Sequence, residues 1–241
     1  MIARDKVKDL RDWISYLETQ GQLQRIAAPV DWDEELGTIT RKVSGQAGPA
    51  LLFENIKGYP KAGSLCSRLF TNGMGSRQRV AMALGLPTDS DDRSITYALK
   101  ERYKRRVEPR KVASGPVKEN IITGQDIDLF KLPVPRWNVL DGGRYINTLA
   151  SVVTMDPDTG LMNIGTYRGM IGTKNTIPIL CAASQHWCHH FAKYKALGQD
   201  MPVAVVYGWD PTLLIASSAP LNHNDHSEYD IVGSLRNEPV E

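Results

Sequence analysis

A chain of 241 residues with 41% hydrophobic and 23% charged residues has an ordinary globular composition and enough length for a sizeable core. Its net charge of +2 is too small to argue for a nucleic-acid or membrane partner, and no apolar run approaches a transmembrane span. Three cysteines, Cys66, Cys181 and Cys188, are odd in number and form no C-x-x-C pair, which argues against a disulfide framework. The N-terminus M-I-A-R-D-K-V-K-D-L is too charged for a signal peptide, so a cytoplasmic protein is expected.

In chain order, Val7, Leu10, Ile14 and Leu17 recur at helical spacing, and Gly21 supplies a stop. A short strand is predicted over residues 23–26, ahead of Pro29, and a second helix through the thirties and early forties. Residues 49–53 (P-A-L-L-F) read as a buried strand closed by the turn K-G-Y-P at 57–60. Residues 76–84 read as a helix ended by Gly85 and Pro87. The run 100–111 holds seven basic and two acidic residues; it reads as an anion-binding patch or, more plainly, as a solvated helix end leading into a linker. Pro109, Gly115 and Pro116 place a domain boundary near 115.

The second half changes character. Residues 146–155 are rich in β-branched and apolar side chains, D-P-D-T-G at 156–160 is a turn, and 162–171 is the returning strand. After a second turn at 172–175, strands are predicted over 177–183, 203–209 and 213–216, with helices over 185–197 and 227–235. The expected fold class is therefore α+β: a small α/β domain over 1–115, then a largely antiparallel, split β-barrel-like domain over 116–241.

All five histidines fall between positions 186 and 226, and four residues draw attention: Asn163 and Arg168 in N-I-G-T-Y-R, His186 in S-Q-H-W, and Glu228 in S-E-Y-D-I-V-G. An amide oxygen, an imidazole and a carboxylate suit a hard divalent ion that also holds a phosphate, rather than a thiolate-loving structural zinc. Asn163 and Arg168 would share one strand and face opposite sides unless Gly165 marks a bulge or a close ligand approach. His186 would open a helix, whose N-terminus favours phosphate. Each residue also has a plainer reading: Asn163 as a turn residue, Glu228 as a carboxylate stabilised by the helix dipole, Cys188 as a packed thiol. His186 and His190 stand at i and i+4 like a zinc pair, but the glutamate of H-E-x-x-H and a nearby third ligand are missing. The glycine-rich G-M-G-S at 73–76 fits neither a dinucleotide fingerprint nor a P-loop and reads as a loop ahead of a helix.

Taken in order, the motifs D-G-G-R-Y-I (141–146), D-P-D-T-G (156–160), N-I-G-T-Y-R (163–168), Q-H (185–186) and S-E-Y-D-I-V-G (227–233) resemble the UbiD-like decarboxylase family. G-P-A-L-L-F-E-N-I-K-G-Y-P (48–60) and S-R-Q-R-V-A-M-A-L-G (76–85) are similar to it as well, so the resemblance spans nearly the whole chain. It implies reversible decarboxylation of an aromatic, heteroaromatic or α,β-unsaturated acid, using prenylated FMN supplied by a flavin prenyltransferase. Asn163, His186 and Glu228 would bind Mn2+ or Mg2+ at the cofactor phosphate, and Asn163, Ile164, Gly165, Thr166, Tyr167 and Arg168, with Gln185, would line the cofactor. Ser217, Ser218, Ala219 and Pro220 resemble the loop that helps hold K+. Arg168 would orient the substrate carboxylate.

Family enzymes are longer than this chain, and their general acid and covering C-terminal domain come after the point corresponding to Glu241. The resemblance thus implies the cofactor-binding half, with activity severely impaired in isolation because positioned proton transfer is worth roughly 10²–10⁴-fold, and a homo-oligomer at full length. Two alternatives stand beside it: a non-catalytic flavin- and metal-binding module awaiting a C-terminal partner, and a flavin oxidoreductase on a split barrel. The metal-binding set argues against the second of these.

Overall fold

Helix α1 (Leu10–Thr19) begins the regular structure because Asp9 accepts a hydrogen bond from the Asp12 N–H, 2.9 Å, and so satisfies a free donor of its first turn. It buries Trp13 and Leu17, and Gly21, at φ +64°, turns the chain into β1 (Leu23–Ile26). The computed structural model describes residues 4–60, 64–219 and 226–241. Strand β1 pairs in parallel with β2 (Ala50–Phe53), and α2 (Glu35–Gly45) lies in the crossover between them that a parallel pair requires. All four residues of β2 are buried, as befits the central strand, and β3 (Leu69–Thr71) pairs antiparallel on its other side.

Helix α3 (Arg77–Ala83) is capped by Ser76 and α4 (Asp92–Arg102) by Asp91. The basic run begins in the last turn of α4 and continues as irregular chain. Arg102 turns inward, and its Nη1 donates to the carbonyls of Leu84, 2.6 Å, and Leu235, 2.9 Å, which ties the end of α3 to the last helix. Further on, Arg144 lies over the Trp32 ring, 4.4 Å, and donates to the Tyr59 hydroxyl and to the Leu132 and Val134 carbonyls. That one guanidinium pins the motif of residues 141–146 onto the first sheet's surroundings.

The second sheet has the order β5-β4-β6 and is antiparallel throughout: β4 (Ser151–Met155), β5 (Met162–Gly165) and β6 (Ala204–Val206). The predicted turn joins β4 to β5, closed by Asp156 N–H to the Leu161 carbonyl, with Gly160 at φ +74°. Helix α5 (His186–Ala196) packs on β4 and β5; α6 (Pro211–Ser217) and α7 (Glu228–Arg236) pack on each other, and α7 also meets β5 and α4. One core cluster joins Ala81 and Leu84 with Ile95, Ala216, Ile231, Val232 and Leu235, so side chains from before and after residue 115 share it.

Several expectations change, among them the strand predicted over 203–209, which is only the three residues of β6. The returning strand stops at Gly165 instead of reaching 171. Residues 177–183 form no continuous strand: Ile179 makes only a bridge to Gly169, and Pro178 has no N–H to lend to a ladder. Residues 213–216 are helical, inside α6, because Asp210 accepts from the Thr212 N–H, 2.7 Å, and Pro211 fills the first helical position. The barrel-like closure is absent among the described residues, where two separate three-stranded sheets stand instead. No described helix is long and apolar enough to cross a membrane.

Asp210 also takes the Nη1 of Arg236 at 2.7 Å, and these side chains are only 6% and 7% exposed. Replacing Asp210 by Ala uncaps α6 and removes one of the two carboxylates on the buried Arg236 guanidinium, which keeps Glu238, and the expected loss is about 1–3 kcal/mol in urea unfolding. A loss below about 1 kcal/mol would show that this pair does not hold α6 to α7.

Candidate functional site

Strand β5 lies at the edge of its sheet, so alternate backbone N–H groups have no strand to pair with. One of these, the Ile164 N–H, donates to Oε2 of Glu228 at 2.8 Å, and both residues are buried. Glu228 is held there by the first turn of α7. Ser227 and Asp230 form a reciprocal capping box at that turn, which explains why S-E-Y-D starts a helix where it does.

Asn163, also buried, faces Thr154 across β4 and β5. Cross-strand partners share one face of a sheet. On that face the Thr154 hydroxyl meets Nδ1 of His190 at 2.9 Å, which places the inner face of α5 over Asn163. His186 stands one turn before His190 and therefore on the same face of α5. Asn163, His186 and Glu228 thus come from three elements that all pack around β5. Among the described residues no three His, Cys, Asp or Glu side chains gather as a metal site; this set includes an asparagine.

Beyond Gly165 the chain leaves its extended path, and the Tyr167 ring folds back over the glycine, where a Cβ would lie 2.4 Å from it. Gly165 therefore does mark a close approach, but by the chain's own tyrosine. Arg168 lies past the strand end, exposed, and does not alternate with Asn163 along one strand as expected. Thr166 reaches the C-terminus of α6, where its hydroxyl meets the Ser217 carbonyl and the Ser218 hydroxyl, both at 3.3 Å. Ser217 closes α6 and Ser218 follows it, so this end offers helix-terminal carbonyls; Ala219 comes next, and Pro220 lies outside the described residues. Gln185 sits just before α5 with its Oε1 accepting from the Ala182 N–H and the Trp187 indole N–H.

Two features were not read from the sequence. Thr154, His190, Asp156 and Lys193 form a polar network beneath Asn163 and His186: Lys193 donates to both Asp156 oxygens at 2.9 and 2.7 Å, and Nε2 of His190 lies 4.0 Å from Asp156. Burial pushes the Asp156 carboxyl upward, but Lys193 and the Asp158 N–H outweigh it and hold the group below its ordinary range. The i, i+4 spacing of His186 and His190 was the available signal; its partner on β4 was not. The second feature is the close approach of Cys181 and Cys188, whose sulfurs meet at the start of α5, with Cys188 buried as a packed side chain. The first turn of α5 carries Cys188 back toward the preceding loop, with the Cα atoms 5.6 Å apart. A cavity of about 820 Å³ lies elsewhere, lined by Trp13, Thr40, Phe70, Trp137 and Tyr207 among others, and none of the predicted site residues reaches it.

Comparison with known proteins identifies the family. Residues 14–99 match the model for the UbiD 3-octaprenyl-4-hydroxybenzoate carboxy-lyase N-terminal domain, and residues 110–241 that for the Rift-related domain of the same carboxy-lyase. A phenolic acid decarboxylase of Streptomyces sp. (strain D7) is 35% identical over 241 residues, covering 96% of this chain and 49% of the relative. The vanillic acid decarboxylase of Sedimentibacter hydroxybenzoicus in its closed form superposes with a TM-score of 0.89 at 33% identity, covering 97% of this chain and 50% of that one. An evolved dimeric form of the UbiD-class enzyme HmfF from Pelotomaculum thermopropionicum, in complex with prFMN, superposes with a TM-score of 0.85 at 30% identity, covering 96% and 51%. The chain spans about half the length of the curated relatives it matches.

The Ile164–Glu228 bond separates structure from chemistry by mutation. Glu228→Ala leaves a buried N–H without an acceptor and should cost about 1–3 kcal/mol in chemical denaturation. Glu228→Gln keeps an oxygen for that N–H and should cost less than about 1 kcal/mol. Equal losses in the two variants would remove the hydrogen bond from the account.

Proposed function

This chain belongs to the UbiD carboxy-lyase family, and from that footing we propose that it is the cofactor- and metal-binding half of a decarboxylase. The proposed reaction is reversible, non-oxidative loss of CO2 from an aromatic, heteroaromatic or α,β-unsaturated carboxylic acid, with prenylated FMN as cofactor. The observation that carries the reading is the fixed carboxylate of Glu228 at β5, 2.8 Å from the Ile164 N–H, beside Asn163 and beneath the helix that His186 opens.

The donor chemistry fits a metal that bridges a phosphate. An amide oxygen, an imidazole and a carboxylate are hard to borderline ligands suited to Mn2+ or Mg2+. Asn163, His186 and Glu228 would hold that ion, and the start of α5 would add backbone N–H groups for the phosphate. The carbonyl end of α6 at Ser217 and Ser218, with Ala219 next in the chain, would hold K+, since helix C-termini carry partial negative charge. Ile164, Gly165, Thr166, Tyr167 and Gln185 would line the flavin.

When bound, prenylated FMN supplies the electron sink for the carbon that loses CO2. The chain's own part is positioning. A guanidinium fork matches a carboxylate bidentately, so the exposed head of Arg168 would orient the substrate's acid group over the site. A flavin prenyltransferase would supply the cofactor, and we propose a homo-oligomer for the complete enzyme.

Two substitutions test the assignment. With prenylated FMN and Mn2+ supplied, native mass spectrometry should show the cofactor plus one divalent ion on the wild type and neither on His186→Ala; retention by the variant would sink the metal assignment. In a full-length version, Arg168→Ala should keep the cofactor and lose decarboxylation by at least about 10²-fold, the scale expected when a bidentate substrate clamp is removed. Undiminished CO2 release would exclude a substrate-orienting role.

A further inference from the structure

Tyr167 joins β5 to α5, two of the three elements that carry the proposed metal ligands. Its hydroxyl oxygen accepts from Nδ2 of Asn163, at 3.3 Å, on β5. Its ring lies against that of Trp187, the residue after His186, with centroids 5.4 Å apart and planes at 33°. The ring is seated over Gly165, where any Cβ would collide with it, so the backbone of β5 reserves this place for the tyrosine.

An asparagine side chain is chemically two-faced: one end donates, the other accepts. Only the carbonyl oxygen can ligate a hard cation, and a rotated amide would aim an NH2 group at it. With Nδ2 on the phenol oxygen, Oδ1 is the end turned away from Tyr167. We infer that Tyr167 is a positioning residue for the divalent-metal site, holding the Asn163 amide by its nitrogen so that Oδ1 is the end presented to the ion. The inference rests on the ligand set proposed above and adds to it a residue that acts through Asn163. It resembles the partners that orient ligating side chains elsewhere, whose loss typically costs about 10–100-fold in metal affinity.

Tyr167→Phe keeps the ring on Trp187 and removes only the hydroxyl, so it isolates this role. The experiment titrates Mn2+ into the FMN-loaded protein and follows the free hexaaquamanganese signal by electron paramagnetic resonance. FMN affinity in EDTA and melting temperature are measured beside it. The expected result is Mn2+ binding weakened by about 10–100-fold, with melting temperature held near wild type and any loss of FMN affinity in EDTA smaller than the loss of Mn2+ affinity. Mn2+ binding within twofold of wild type, while His186→Ala abolishes it, would overturn the role of Tyr167 and leave the ligand set standing. Parallel losses of FMN affinity and melting temperature would make the tyrosine a packing residue and overturn the inference as well. Wild-type protein that takes up no Mn2+ with FMN bound would overturn both this inference and the ligand set beneath it.

Discussion

The exposed side of an edge strand must be satisfied by something other than a neighbouring strand, and at β5 that obligation falls on a carboxylate from the last helix. The hydrogen bond from Ile164 to Glu228 is buried and reaches across 64 residues of sequence. Bonds to charged groups are worth about 1.5–3 kcal/mol, more than a neutral pair. Its consequences extend outward from β5. It sets where α7 begins relative to the sheet, and α7 in turn packs on α6 and α4 and closes the shared core around Ile231 and Leu235. It also leaves a buried carboxylate lodged against the edge of β5.

The helix starts and turns were largely legible in the sequence because their causes are local. Ser76, Asp9 and the S-E-Y-D box each cap the helix that follows them within three residues, and the D-P-D-T-G turn needs only its own backbone. Where local signals competed, the reading failed in an instructive way. The apolar run at 213–216 looks like a strand, but Asp210 and Pro211 just before it are a helix start, and capping chemistry outweighed the run. The strand predicted to 171 ends at Gly165, because the glycine lets Tyr167 fold inward.

The site itself was legible as residue types but not as contacts. Asn163, His186 and Glu228 could be singled out, yet Thr154 and Asp156 read only as strand and turn residues. Their partners lie more than thirty positions away on α5, a distance that periodicity does not report. Barrel closure was over-read for a related reason: closely spaced β-rich segments predict strands, but not whether those strands find one another.

The segment between α4 and the Asp128–Phe130 turn is exposed almost throughout from residue 108 to 126, while the core it bridges is built jointly by α3, α4, α6 and α7. Covalent continuity and cohesion are therefore carried by different parts of the molecule. A peptide bond broken in this stretch would sever the chain without severing the fold, since Arg102 would still grip the carbonyl of Leu235 and the apolar cluster would still be closed. For a protein engineer that makes the tether the natural place for an inserted tag, a reporter or a new pair of termini.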